Sequence, residues 1–326
     1  MTDPAGSYLE RLAARSEQVG SVLCLGIDPD PDALPPGFSR DLAGIERFSR
    51  LLLEGAAPYA AAVKPNLAFF EAYGAAGVAA LERVLAAIPN GLPVVLDAKR
   101  GDIGSTAVRH AVALFDHLGA DAVTLSPYLG PRAIEPLLER VDRFCYVLCR
   151  TSNPGAGDVQ DLVVAAEPGG DSRQAAPAEP LHARIARMAA GWGPGGTVGL
   201  VVGATAPDEL RTIREIAPGL AFLVPGVGVQ GGEAGPVLKH GRAVAHPAGS
   251  RPGGGLLVNV SRGISGAAAG DPGAAVGDPG AAVGDSGAAA GDSGAAAGDP
   301  GAPTTDPLER VDAAARAWSA ALPVLT

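Results

Sequence analysis

Eight short apolar runs recur along the chain, and an amphipathic stretch follows most of them. The runs are SVLCLGID (21–28), AAVKPN (61–66), LPVVLDAK (92–99), DAVTLSP (121–127), FCYVLCR (144–150), TVGLVVG (197–203), LAFLVPG (220–226) and GLLVNVS (255–261). Most are apolar without alternation, the pattern of parallel strands covered on both faces. The stretches between them, such as IERFSRLLLEGAAPY, AGVAALERVLAAI and APDELRTIREIA, carry apolar residues at helical spacing. A last helix is expected over 306–322, with Asp306 as its N-cap and Pro307 at its first position.

Eight strands alternating with helices predict a (β/α)8 TIM barrel forming a single domain over 1–326. A doubly wound open sheet is the competing arrangement, and the first strand–helix turn lacks the GxGxxG that its dinucleotide-binding form uses. Polar residues also gather where the runs end: Asp28, Lys64, Asp97, Lys99, Ser126, Ser152, Gln230 and Arg262. Polar groups at the ends of many different strands are how a barrel builds its working face, which favours the barrel.

One segment fits no element. From Gly270 the chain repeats GDPGAAV, GDPGAAV, GDSGAAA, GDSGAAA. Two glycines per seven residues, with proline in some copies, defeat a helix, and no large side chain is present to build a core. Residues of about 265–304 are expected to form a flexible spacer inserted before the final helix. Two smaller stretches, about 164–179 and 241–254, have the composition of mobile loop insertions.

Composition narrows the function. The net charge of −10, with no basic tract, argues against nucleic-acid and anionic-membrane surfaces. No apolar run approaches 18 residues, and the N-terminal stretch lacks a signal-like apolar core, so a cytoplasmic protein is expected. Three cysteines, Cys24, Cys145 and Cys149, all in strand-like runs and without a CxxC, read as buried reduced thiols. The five histidines show no metal spacing.

The basic residues are unevenly chosen. Of 25 lysines and arginines only Lys64, Lys99 and Lys239 are lysine. Two of these fall at strand ends among carboxylates: Lys64 in AVKPN, and Lys99 in DAKRGD between Asp97 and Asp102. On a strand, Asp97 and Lys99 point the same way. With Asp28 they make a row of alternating charges on three neighbouring strands. An ammonium between carboxylates keeps its charge yet can give a proton to a stronger base formed beside it, whereas arginine holds its proton. Lys99 therefore reads as a general acid, against the plainer alternative of an ion pair closing a strand end. The glycine-rich LVPGVGVQGG (223–232) and Arg262, after the seventh and eighth runs, suit a phosphate.

Taken together, Asp97-Ala-Lys99-Arg-Gly-Asp102, VKPN, LGIDP, KPNLAFFEAYG, TLSPYLG, CRTSNPGAGDVQ, VPGVGVQGG and VNVSRGI resemble the orotidine 5'-monophosphate decarboxylase family, in its longer bacterial type. The resemblance spans nearly the whole chain except the inserts. It implies conversion of orotidine 5'-phosphate to UMP and CO2, the last step of pyrimidine synthesis, with neither metal nor organic cofactor. It implies Lys99 as proton donor to C6, Asp97 beside the departing carboxylate, and Asp28 and Lys64 at the ribose and the charge network. Ser152 would meet the pyrimidine, while Gln230 and Arg262 would hold the phosphate. It further implies a homodimer in which Asp102 and Thr106 reach the partner's site. Two other functions share such a face: a magnesium-dependent sugar-phosphate decarboxylase or aldolase of the same superfamily, and a barrel that binds a nucleotide without turning it over.

Overall fold

The computed structural model describes residues 6–166, 178–270 and 306–325. Eight parallel strands form one sheet: β1 (Leu23–Ile27), β2 (Ala62–Pro65), β3 (Val95–Arg100), β4 (Ala122–Leu125), β5 (Phe144–Arg150), β6 (Val198–Val202), β7 (Ala221–Pro225) and β8 (Leu257–Val260). Their spatial order is β2-β1-β8-β7-β6-β5-β4-β3. Parallel bridges from Val63 to Val94 and from Asn66 to Asp97 join the two ends, so the sheet closes. The expected (β/α)8 barrel is the observed one, and all eight runs supply its strands.

The strands are short because polar residues end them, and their side chains sort by the period of two. Leu23, Leu25 and Ile27 of β1 join Val123 and Leu125 of β4 and Val258 and Val260 of β8 in a core against the outer helices. Helix α1 (Tyr8–Val19) packs on the inner core instead, and the outer layer is covered by α2 (Leu42–Ala56), α3 (Gly74–Leu85), α4 (Gly104–Ala111), α5 (Glu135–Leu138), α6 (Leu181–Ala189), α7 (Pro207–Ile216), α8 (Ala234–Gly241) and α9 (Pro307–Ala321). Asp306 caps α9 by accepting from the Leu308 amide at 3.3 Å, with Pro307 at the first position, as the sequence predicts.

Inward-facing positions fill the barrel unevenly. Cys24, Ala62, Ala122 and Ala221 are small, and Phe144 and Tyr146 of β5 take the space they leave. Gly199 of β6 makes room as well, since a Cβ there would meet the Phe144 ring at 2.8 Å. Helix α1 closes the floor of the barrel by inserting Tyr8, which stacks on Phe144 with ring centroids 4.7 Å apart. The Tyr8 and Tyr146 hydroxyls meet at 3.1 Å. Ser7 and Glu10 form a capping box that starts α1, and Gly20 ends it in the left-handed conformation at φ 66°.

The stretch 241–254 departs from expectation. It packs rather than loops out: Ala243 and Ala248 are fully buried in the inner core beside Tyr8 and Leu257. Three successive glycines, Gly253, Gly254 and Gly255, take positive φ to turn the chain tightly into β8. Of the stretch 164–179, Val163–Val164 pairs antiparallel with Glu179–Pro180, and the remainder lies largely outside the described residues. Of the spacer expected over about 265–304, the start is ordered otherwise: Arg262–Ser265 is helical and a further turn continues to Ala269. The seven-residue repeat itself lies outside the described residues. All three cysteines are buried and free, and burial pushes the Cys24 thiol up to about 12. Among the described residues no helix is long and apolar enough to cross a membrane.

Phe144 fills space that the small inner residues leave, so its loss should leave a cavity rather than a collapsed site. Phe144→Ala should lower the unfolding free energy by about 3–5 kcal/mol, read from urea denaturation. A loss below about 1 kcal/mol would show that the inner core repacks.

Candidate active site

The polar layer begins directly above the apolar filling. Along β2 the inward positions run from Ala62 to Lys64, along β3 from Val95 to Asp97, and along β4 from Ala122 to Thr124. Lys64 is only 4% exposed, and its Nζ donates to Asp97 Oδ2 at 2.8 Å. Lys99 Nζ donates to the other oxygen, Asp97 Oδ1, at 2.5 Å, while its side chain stays half exposed. Thr124 Oγ1 donates to the same Oδ1 at 2.9 Å. One buried carboxylate thus receives two ammonium groups and a hydroxyl.

The Lys64–Asp97 pair spans the weakest seam of the barrel. Between β2 and β3 the backbones touch only at the two bridges, with Val63 donating to Pro93 and Leu67 to Asp97. Pro65 has no N–H to give in between. The ion pair therefore crosses from strand to strand where the ladder is thin.

Burial alone would raise the Asp97 pKa, but the charges of Lys64 and Lys99 and their hydrogen bonds hold it well below the usual carboxylate range. Burial would likewise lower Lys64, and the facing charges of Asp97 and Asp28 overcome it and raise its pKa. Both groups are therefore ionised at neutral pH.

Lys99 reaches Asp97 by a route that strand alternation does not describe. It is the one non-glycine residue with positive φ among the described residues, at 48°. The register between β3 and β4 breaks between Leu96 and Arg100, which makes a bulge. Thr124 holds that bulge: its Oγ1 accepts from the backbone amides of Ala98 and Lys99, both at 3.0 Å. A left-handed lysine costs about 1–3 kcal/mol and persists only where its surroundings impose it. Here a single threonine fixes both the strained backbone and the carboxylate it serves.

A cavity of about 380 Å³ opens above this layer. Asp28, Lys64, Asp97, Gln230 and Arg262 all line it, so five of the residues singled out from the sequence share one space. Asn66, which also lines it, donates through Nδ2 to Asp28 Oδ1 at 2.9 Å. Ser152 joins through Gln230, its hydroxyl donating to Gln230 Oε1 at 2.9 Å. Behind it, Gln160 Oε1 accepts from the Thr151 amide at 2.8 Å and pins the turn that presents Ser152. Asp102 and Thr106 stand apart. The Asp102 carboxylate accepts from the next amide, Ile103, at 2.7 Å, and neither residue lines the cavity.

The rim opposite the lysines carries the glycine-rich loop 226–232 and Arg262. Gly228 has φ 80°, and a Cβ there would also meet the Trp318 ring at 2.9 Å. Trp318, on α9, donates from Nε1 to Gly263 O at 3.1 Å. One indole from the final helix therefore supports both loops of this rim. Arg262 has no hydrogen-bond or ion-pair partner among the described residues, which leaves its guanidinium for an anion.

Sequence reasoning did not single out Thr124, Asn66, Asn259 or Gln160. Thr124 and Asn259 occupy inward positions of otherwise apolar runs, and the period of two marks that face. Among the described residues no three His, Cys, Asp or Glu side chains converge as metal ligands.

The sequence model of the Orotidine 5'-phosphate decarboxylase / HUMPS family matches residues 21–278. The chain belongs to this family. An orotidine 5'-phosphate decarboxylase of Herpetosiphon aurantiacus is 45% identical over 264 residues, covering 81% of this chain and 91% of the relative. One of Thermomicrobium roseum is 46% identical over 259 residues, covering 79% and 86%. Among solved structures, the OMP decarboxylase of Leishmania donovani superposes with a TM-score of 0.66 at 40% identity, over 82% of this chain and 94% of that one. Family membership thus extends across the barrel and includes the elements that carry the charged array.

Removing the Asp97 carboxylate leaves Lys64 buried without its partner, so Asp97→Ala should cost about 3–5 kcal/mol of stability at neutral pH. Because the native Asp97 pKa is depressed, the pair's contribution is complete above about pH 4 and fades as pH falls through the native value. The raised Lys64 pKa makes its share complete below about pH 10, fading as pH rises through the native value. The stability gap between wild type and Asp97→Ala should therefore stay flat from about pH 5 to 9 and shrink in acid. A gap that is unchanged at about pH 2 would contradict a coupled ion pair.

Proposed function

We propose that the chain decarboxylates orotidine 5'-phosphate to UMP without a metal or an organic cofactor. The observation that carries this reading is the Lys64–Asp97 pair lining a cavity whose far rim presents Gln230 and Arg262, with the half-exposed Lys99 bonded to the same Asp97, in a chain of this family. The C6–carboxylate bond breaks beside Asp97, CO2 leaves, and the electron pair stays on C6. Lys99 then gives its proton to C6, and the neutral amine recovers a proton from solvent. A fixed cation beside a carbanion that has no cofactor to delocalise it is the principal stabilisation available. Asp28 and Lys64 hold the ribose side, Ser152 the pyrimidine, and Gln230 with Arg262 the phosphate. Phosphate binding far from C6 can drive closure of the loop 226–232 over the base.

The magnesium-dependent sugar-phosphate reaction would need carboxylates free to bind a cation after β2. Glu71, the nearest there, is tied to Arg100. The three buried free thiols agree with a cytoplasmic enzyme.

The reading includes a homodimer. Ile103, Tyr128 and Leu129 are 71%, 85% and 58% exposed, large apolar side chains around the loop that carries Asp102. Asp102 and Thr106, which stand off their own cavity, would complete that of a second copy.

Two assays test this. Purified protein with orotidine 5'-phosphate and excess EDTA should consume the substrate, followed by orotate absorbance. Lys99→Arg should lower kcat by at least about 1,000-fold while UMP still binds, the scale of a lost proton donor together with its charge placement. Full activity in Lys99→Arg would remove Lys99 from the proton-transfer step, and turnover of a sugar phosphate only with magnesium would move the chain to the other branch. Mixing inactive Lys99→Ala with inactive Asp102→Ala should restore activity through hybrid dimers that each hold one intact site. Continued inactivity after subunit exchange would show that Asp102 serves its own protomer.

A further inference from the structure

Asn259, on β8, lines the cavity and is 8% exposed. Its Oδ1 is buried and has no hydrogen-bond partner among the described residues. Ser261, two residues on, lines the same cavity, and its buried Oγ is likewise without a partner. Buried polar atoms are nearly always paired, so two orphans side by side in a ligand cavity call for a ligand. Both lie against Gly26 of β1. A Cβ at Gly26 would come within 2.7 Å of Ser261 Cβ and 3.1 Å of Asn259 Oδ1. The φ of Gly26 is not positive, so its requirement is space: the bare glycine keeps this corner of the floor open.

The chemistry of the missing partner follows from the atom. An amide oxygen only accepts, so its partner must donate. A phosphate dianion and a carboxylate present acceptors alone and do not fit. Lys64, across Gly26 in the β1–β2 register, donates to Asp97 and makes no bond to Asn259. The remaining donors of a pyrimidine nucleotide are the base N–H, which the reading above gives to Ser152, and the ribose hydroxyls. The ribose links the base end of the cavity to the phosphate end, and Asp28, two residues beyond Gly26, faces the same space.

We propose that Asn259 is a further nucleotide-binding residue, its Oδ1 accepting a hydrogen bond from one ribose hydroxyl, with Ser261 completing the polar floor beneath the sugar. This rests on the nucleotide reading of the site. Asp28 and Asn259 then serve the sugar from the ends of adjacent strands, and Gly26 keeps the space between them clear.

The test compares UMP with 2'-deoxy-UMP and 3'-deoxy-UMP by calorimetric titration on the full chain. Wild type should bind UMP about 10-fold more tightly than the deoxynucleotide that lacks the contacted hydroxyl, the scale of one hydrogen bond. Asn259→Leu should bind UMP about 10-fold more weakly and no longer distinguish it from that same deoxynucleotide, as a coupled pair requires. Asn259→Ala, which only removes atoms, carries the same expectation should leucine prevent folding. Unchanged UMP binding in the variants, or weaker binding with the hydroxyl preference intact, overturns the assignment. Wild type that binds UMP with neither hydroxyl contributing also overturns it. Wild type that binds no UMP and does not consume orotidine 5'-phosphate overturns the nucleotide reading itself, a separate outcome.

Discussion

A single buried carboxylate organises the working face of this barrel. Asp97 accepts from Lys64, Lys99 and Thr124, and each of these contacts has a second consequence. Lys64 ties β2 to β3 where the backbone ladder is thinnest. Thr124 ties β4 to the bulge of β3. Lys99 is left half exposed with its Nζ 2.5 Å from the carboxylate. Taking these charges out of water is costly, and the arrangement is tolerated because both oxygens of the carboxylate are occupied and both charges are paired. The same pairing suits the proton transfer proposed for Lys99, since a fixed ammonium requires little reorganisation when negative charge appears beside it.

The apolar half of the barrel makes that polar layer affordable in space. Small inner residues on β1, β2, β4 and β7 leave the lower volume to Phe144, Tyr146 and the plug Tyr8. With the lower layers filled, the next inward positions of β2, β3, β4 and β8 carry Lys64, Asp97, Thr124 and Asn259, and all but Thr124 line the cavity. The segment 241–254 belongs to this lower closure, although its composition resembles a loop: glycines let the chain turn close to α1, and alanines fill the gap.

The upper rim depends on the chain's last helix. Trp318 bonds to Gly263 and packs against Gly228, so α9 supports the loop after β7 and the turn after β8 together. Because α9 also packs on α2, where Val311 meets Gly55 so closely that a Cβ would lie 2.7 Å away, the rim is anchored to the barrel's outer layer.

Much of the architecture was legible in the order of residues alone. Continuous apolar runs mark strands buried on both faces, and polar residues at their ends mark the face where catalysis is built, so the eight strands and the row Asp28, Lys64, Asp97 and Lys99 could be read in advance. These are local signals: each needs only a run and its ending. Tertiary structure decided what local signals do not carry. The left-handed backbone of Lys99 depends on Thr124, 25 residues away. The open corner at Asn259 depends on Gly26, on the other side of the chain's length. Lys99, Asp102 and Thr106 all follow the apolar part of one run, yet none of them lines the cavity, and of the three only Lys99 reaches it indirectly, through its bond to Asp97. Spacing tells which residues lie near a strand end, but only the closed sheet determines which of them face the same few ångströms of space.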